Sequence, residues 1–213
     1  MKESTSKEKV LKNIREALVN SMAPPYESVD LESNVFAKEL DEFAEIAFAE
    51  AFSSAGGQFV YCGDFEELNL NLRALLEEKN LTRLFCGEEF LCDLMNDFEI
   101  QGINNCEVDD CDASITACEV LVARQGSIMM SSSLGGGRKT FMVPQVHIVI
   151  ASARQLVHEI TDAFSFLNKK YNGKLPGMVT FVTGPSRTTE IENTIIQGAH
   201  GPKEVILFLV ETR

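Results

Sequence analysis

Three glycines, three hydroxyls, a guanidinium and an imidazole lie close together near the end of this chain. They belong to Thr183-Gly184-Pro185-Ser186-Arg187-Thr188 and to Gly198-Ala199-His200-Gly201-Pro202, with Pro185 and Pro202 stiffening the turns. The apolar runs 178–182 and 205–210 on either side read as buried strands. Loops at the ends of parallel strands are where α/β proteins place ligands, because the packed sheet fixes the loop. A helix capped by Ser186 or Thr188 would leave amide N–H groups free for an anion, and Arg187 would add a planar fork for carboxylate or phosphate. His200 is the ligand-facing candidate for proton transfer. The pattern predicts a site for a small anion.

A second polar concentration is Ser131-Ser132-Ser133-Leu134-Gly135-Gly136-Gly137-Arg138. Gly135, Gly136 and Gly137 would let backbone approach an anion closely, with Arg138 adding charge; a plain flexible loop is the competing reading. No Gly-Lys-Ser/Thr follows, so this is not a P-loop. Glu119, between two apolar segments, is either a semi-buried nucleophile or general base, or a carboxylate paired with an arginine or capping a helix. His147 alternates with Val146, Ile148 and Ile150 and reads as a hydrogen-bonded core residue, whereas His158 falls in a helical stretch and reads as surface. Ser186 lacks the Gly-x-Ser-x-Gly elbow, and three scattered histidines do not make a metal set. The six cysteines are spaced 24, 6, 14, 5 and 7 positions apart with no Cys-x-x-Cys, which points to reduced thiols rather than a zinc or iron–sulfur site.

These residues need a scaffold. Thr5-Ser6-Lys7-Glu8 has capping-box spacing ahead of Val10, Leu11, Ile14 and Leu18 on one helical face. Residues 21–34 read as a linker, and a second helix is expected over about 35–54, ended by Gly56-Gly57. From residue 58 the chain alternates: a strand at 59–61, a Leu-rich helix opened by Asp64, a strand at 83–85, a helix over 88–96, and three short segments at 114–116, 120–122 and 127–130. A strand at 145–151, a helical stretch at 154–171 and a strand–loop–helix–strand close the chain. Repeated strand–helix order predicts an α/β fold with a mostly parallel sheet flanked by helices. The expected division is an N-terminal helical extension, 1–55, and one α/β domain, 56–213.

Charge narrows the ligand. The chain carries a net charge of −13, with 25 acidic against 9 basic residues in 1–112 but 7 against 10 in 113–213. An acidic front half excludes a nucleic-acid footprint, and the mildly basic rear half holds both glycine-containing loops. No apolar run reaches the length of a membrane span and the first residues lack a signal-peptide core, so a cytoplasmic protein without membrane contact is expected.

The stretch 183–192, Thr-Gly-Pro-Ser-Arg-Thr-Thr-Glu-Ile-Glu, followed by Gly198-Ala199-His200-Gly201-Pro202-Lys203-Glu204, closely resembles the C-terminal signature of the LUD-domain family, named for lactate utilisation. Ile115-Thr116-Ala117-Cys118-Glu119, Gly126-Ser127-Ile128, Gly137-Arg138 and Val143-Pro144-Gln145-Val146-His147 are similar to that family's central block, and the likeness covers about 58–210. It implies a fold like that of the sugar-phosphate isomerases and CoA-transferases. It also implies a part in oxidation of L-lactate to pyruvate, as a small subunit-C-like member beside an iron–sulfur subunit and others. This chain lacks cysteine clusters and any flavin or nicotinamide fingerprint, so a redox role requires partner subunits. On this reading Gly135–Gly137, Arg138, Gly184, Pro185, Ser186, Arg187 and Thr188 line a pocket for a small anionic ligand, with His200 or Glu119 moving the proton. A stand-alone transferase or ligase using CoA or nucleotide, and a non-catalytic binding subunit, are the alternatives.

Overall fold

The computed structural model describes residues 5–19, 43–191, 194–198 and 200–211. The chain divides into two units, Met1–Glu39 and Leu40–Arg213. In the first, helix α1 (Ser6–Val19) begins with the expected capping box: Glu8 N–H donates to Thr5 Oγ1 at 3.3 Å and Thr5 N–H to Glu8 Oε2 at 2.8 Å. Its apolar face of Val10, Leu11, Ile14 and Leu18 is exposed. The expected linker, 21–34, and the first part of the expected second helix lie outside the described residues.

The second unit is built on a five-stranded sheet of β1 (Gln58–Cys62), β2 (Leu84–Cys86), β3 (Ala113–Thr116), β6 (Val146–Ser152) and β11 (Glu204–Val210), in the order β1-β11-β6-β3-β2. Every neighbouring pair is parallel. Strands buried on both faces must be apolar throughout, and 205–210 is. Ile206 and Phe208 join Leu68 and Leu72 of α3 (Phe65–Glu78) and Leu91 and Met95 of α4 (Glu89–Asp97) on one face. Leu207 and Leu209 join Phe48 and Phe52 of α2 (Ala44–Ser54) on the other. The α/β class with a mostly parallel, helix-flanked sheet is therefore as expected, and α2 packs into its core.

A second sheet, in the order β7-β4-β5-β8, covers the α2 face. Its strands are β4 (Val120–Val122), β5 (Ser127–Ser131), β7 (Leu156–Val157) and β8 (Val179–Val182), with β5 antiparallel to both β4 and β8. Alternation assigns its faces. Leu121, Ile128 and Met130 point to the central sheet, while Val120, Val122 and Met129 meet Ala163 and Leu167 of α6 (Ile160–Lys170). A short α5 (Lys139–Met142) precedes β6.

Two expectations along the chain are corrected. The helix expected over 154–171 starts only at Ile160: Ser152 and Gln155 form a reciprocal cap on a single turn at Ala153–Gln155, and Leu156 and Val157 then pair with Leu121 and Val122. His158 thus lies before the helix. The helix expected after Ser186 is absent, replaced by an antiparallel hairpin of β9 (Arg187–Ile191) and β10 (Thr194–Gln197). That segment is rich in Thr and Ile, whose branched Cβ atoms favour strands.

Phe52 is fully buried and stacks on Phe48 with ring centroids 5.5 Å apart. Phe52→Ala is expected to lower unfolding free energy by about 3–5 kcal/mol. Urea titration checks this, with the midpoint falling and the slope unchanged.

Candidate functional site

Because the five central strands run one way, their carboxyl ends share one edge, the usual place for a ligand crevice. A cleft of about 470 Å³ opens there. Ala151 at the end of β6 and Val210 at the end of β11 contribute its floor, Phe90 and Leu94 of α4 one wall, and Cys118 and Lys170 the side towards the second sheet. Its polar groups are few, chiefly Lys170, Ser152 and Gln155. Gln155 is fixed, accepting from Ser152 N–H at 2.9 Å through Oε1 and donating to the Cys118 carbonyl at 2.7 Å through Nε2.

Next to Cys118, the Glu119 side chain is wholly buried. Its backbone N–H donates to Met129 O at 2.9 Å, so Glu119 continues the β4–β5 ladder and comes beside Ser131. Glu119 Oε1 accepts from Ser131 Oγ at 2.5 Å and from Tyr171 OH at 2.8 Å, while Oε2 accepts from Lys170 Nζ at 2.6 Å. Burial pushes the carboxyl towards its neutral form, but the bonds from Lys170, Ser131 and Tyr171 outweigh it and hold the pKa below the ordinary 4.5. Burial lowers the Lys170 pKa, yet the bond to Glu119 prevails and raises it. The two therefore form a lasting ion pair, in which the Lys170 side chain is 44% exposed and that of Glu119 is buried. With both oxygens engaged, Glu119 is arranged to orient Lys170 rather than to attack a substrate. Cys118 is no activated nucleophile either, since burial first and the Glu119 charge second push its thiol up.

A carboxyl group that the sequence reading treated only as a helix start lies on the other side of this strand end. Glu88 is buried; its Oε1 accepts from Ala117 N–H at 3.3 Å, and its Oε2 is buried without a partner. Burial raises its pKa to about 7. Gly87-Glu88 directly after a short strand was the available signal for a carboxyl group at the carboxyl edge. Lys170 and Tyr171 carried none, because they read as the polar end of a helix. The glycine loop borders the same region. Leu134 lines the cleft, and Gly135 packs so tightly on Gly87 that a Cβ on either would come within 2.5 Å of the other's backbone. Gly136 and Gly137 have positive φ, and Arg138 is exposed.

The C-terminal loop lies at the opposite, amino edge, against the residues that precede β1, β6 and β11. A Cβ on Gly184, which has φ +91°, would meet Ala55 O at 2.7 Å, and Lys203 N–H donates to Gln145 O at 2.8 Å. A depression of about 330 Å³ there gathers Gly184, Pro185, Ser186 and the exposed His200. Its backbone is occupied with itself: Ser186 N–H donates to Pro202 O and Ser186 O accepts from Gly198 N–H, both at 2.9 Å. Arg187 is exposed, and its guanidinium lies over Gly56, where a Cβ would come within 2.3 Å of Nη2. Thr188 pairs with Ile196 in the hairpin. The structure thus brings Gly184, Pro185, Ser186 and His200 together at the amino edge, with Phe141 and Met142 of α5 lining the same depression, whereas Glu119 and Gly135 lie at the carboxyl edge. His147 is fully buried and shares a 2.8 Å bond with Thr116 Oγ1; burial lowers its pKa to about 3, so it stays neutral. Among the described residues no group of three or more His, Cys, Asp or Glu is placed to hold a metal, and no helix is long and apolar enough to cross a membrane.

Comparison with known proteins gives one consistent picture. The sequence model of the LUD domain matches residues 46–210. Lactate utilization protein C of Shouchella clausii is 30% identical over 103 residues, covering 48% of this chain and 45% of that protein. The protein of the same name from Bacillus subtilis is 28% identical over 109 residues, covering 50% and 45%. The chain therefore spans about half the length of the curated relatives it matches. In fold it is similar to a DUF162 family protein from Deinococcus radiodurans, with a TM-score of 0.60 over 78% of this chain and 96% of that one, at 17% identity.

The Glu88 carboxyl sets a pH dependence. The folded protein keeps its proton up to about pH 7, whereas the unfolded chain releases it near the ordinary 4.5. Between these values the folded state binds more protons, so this group makes stability fall as pH rises. Glu88→Gln, which cannot ionise, is expected to gain on the order of 2 kcal/mol over the parent between pH 5 and pH 8. Urea titrations at the two pH values test this; an unchanged difference between variant and parent would contradict it.

Proposed function

Because the chain belongs to the LUD-domain family, we propose that it acts in lactate utilisation as a ligand-binding subunit, holding the substrate or product acid in the cleft at the carboxyl edge of its parallel sheet. The observation that carries this reading is the Lys170–Glu119 pair at the cleft wall. A buried carboxylate anchored by three donors keeps the Lys170 ammonium charged and oriented, on a part-exposed side chain that lines the cleft, which suits capture of a small carboxylate. Glu119 is here a positioning residue.

Oxidation of a 2-hydroxy acid to a 2-oxo acid removes two electrons and two protons. In our reading this chain binds and orients the acid, and the electrons pass to partner subunits, one of them an iron–sulfur protein. Six free thiols suit a reducing cytoplasm. We take the exposed apolar face of α1 as a surface available for assembly with a partner. The central sheet suits kinship with the sugar-phosphate isomerases and CoA-transferases, but a transferase using Glu119 as nucleophile is disfavoured, since both its oxygens are already engaged.

A second reading, an anion at the amino edge held by Gly184, Pro185, Ser186 and Arg187 with His200 beside it, rests on the depression that gathers four of these five residues. One titration separates the two. Calorimetry with L-lactate and pyruvate is expected to show binding that Lys170→Met weakens at least about tenfold, while Arg187→Ala leaves it unchanged. Loss in Arg187→Ala with retention in Lys170→Met would transfer the site to the amino edge. Circular dichroism confirms that both variants are folded.

A further inference from the structure

The cleft is mismatched to a three-carbon acid in a way that specifies what fits better. Lactate and pyruvate have six heavy atoms and occupy on the order of 100 Å³, only a few water volumes. The cleft is about 470 Å³. Its charged group, Lys170, belongs to the side near the second sheet, while α4 offers Phe90, Leu91 and Leu94 and the start of α3 offers Phe65. Phe90 is 61% exposed and Phe65 is 47% exposed, although both border the cleft. A three-carbon acid at Lys170 would leave this apolar surface wet. An acid with a longer hydrocarbon tail would cover it and gain the free energy of removing apolar area from water.

We infer that the cleft takes 2-hydroxy or 2-oxo acids whose side chain is an apolar group of several carbons, with the carboxylate at Lys170 and the tail along Phe90 and Leu94 of α4. This rests on the reading that the carboxyl-edge cleft is the ligand site, and it extends that reading from lactate to a class of acids. Lys170 Nζ gives one of its three N–H donors to Glu119, and the other side chains lining the cleft are uncharged.

The test is calorimetric titration of the full chain with pyruvate, 2-oxobutanoate, 2-oxohexanoate and 2-oxooctanoate, repeated with Phe90→Ala and Leu94→Trp. Affinity is expected to rise about fourfold per added methylene until the cleft is full. Phe90→Ala, at an exposed position, should weaken 2-oxooctanoate about tenfold and leave pyruvate unchanged. Leu94→Trp, which fills the tail region, should abolish the gain with length while pyruvate still binds. Equal affinities along the series, still lost in Lys170→Met, would overturn the inference and leave the site reading intact. Absence of binding by every member would overturn both.

Discussion

The structure depends on one strand. β11, the last element of the chain, lies between β1 and β6, and its alternating side chains enter the cores on both faces of the sheet. Ile206 and Phe208 meet α3 and α4, and Leu207 and Leu209 meet α2 and the second sheet. A strand in that position has to be apolar at every residue, because neither face reaches water. It also forces a long-range closure: the C-terminal segment must return to pair with a strand 148 residues earlier, in register from Ile206 opposite Gln58 to Val210 opposite Cys62. The ends of β11 consequently belong to both edges of the molecule, with Pro202 and Lys203 at one and Val210 at the other.

Given that frame, the electrostatics of the carboxyl edge follow from burial. A carboxylate taken out of water is tolerated only when it is hydrogen-bonded and paired, and Glu119 meets that condition with three donors from β5 and the end of α6. Glu88, on the other side of residues 117 and 118, accepts from the Ala117 N–H, forms no ion pair among the described residues, and is driven towards neutrality by burial. Two carboxyl groups near the end of one strand thus hold opposite protonation preferences, set by their neighbours and not by residue type. The ionised one fixes the orientation of Lys170, the group on which the ligand reading rests.

The two edges also have distinct construction. At the amino edge the glycines serve close backbone contact: Gly184 packs on Ala55, and the loop's N–H and C=O groups at Ser186 and Gly198 satisfy one another. Such a loop can be characteristic of a family because the packing demands it, without contacting a ligand. The carboxyl edge keeps an open cleft instead, with side chains from α3, α4, α6 and the ends of β6 and β11.

Much of the architecture was legible in the residues alone. The continuous apolar run at 205–210, the helical spacing of Leu68, Leu72 and Leu76 after the Asp64 cap, and the strand–helix alternation specify a parallel sheet between helices, because each of those signals is local and periodic. The family likeness was equally legible, and the match over 46–210 agrees with it. Elsewhere the outcome was decided by contacts that spacing does not show. The helix expected after Ser186 misread a local signal, since 187–191 pairs with 194–197 as a hairpin, whereas the second sheet that takes in 120–131 is completed by β7 and β8 from later in the chain. Glu119 was visible as a carboxylate among apolar neighbours, but its partners Lys170 and Tyr171 lie 51 and 52 positions away and read only as a polar helix end. Nor could spacing show that Gly184–Ser186 and His200 lie at the opposite edge from Glu119 and Gly135. The sequence by itself determined which segments would be buried; only the tertiary structure decided which polar groups those segments bring within reach of one another.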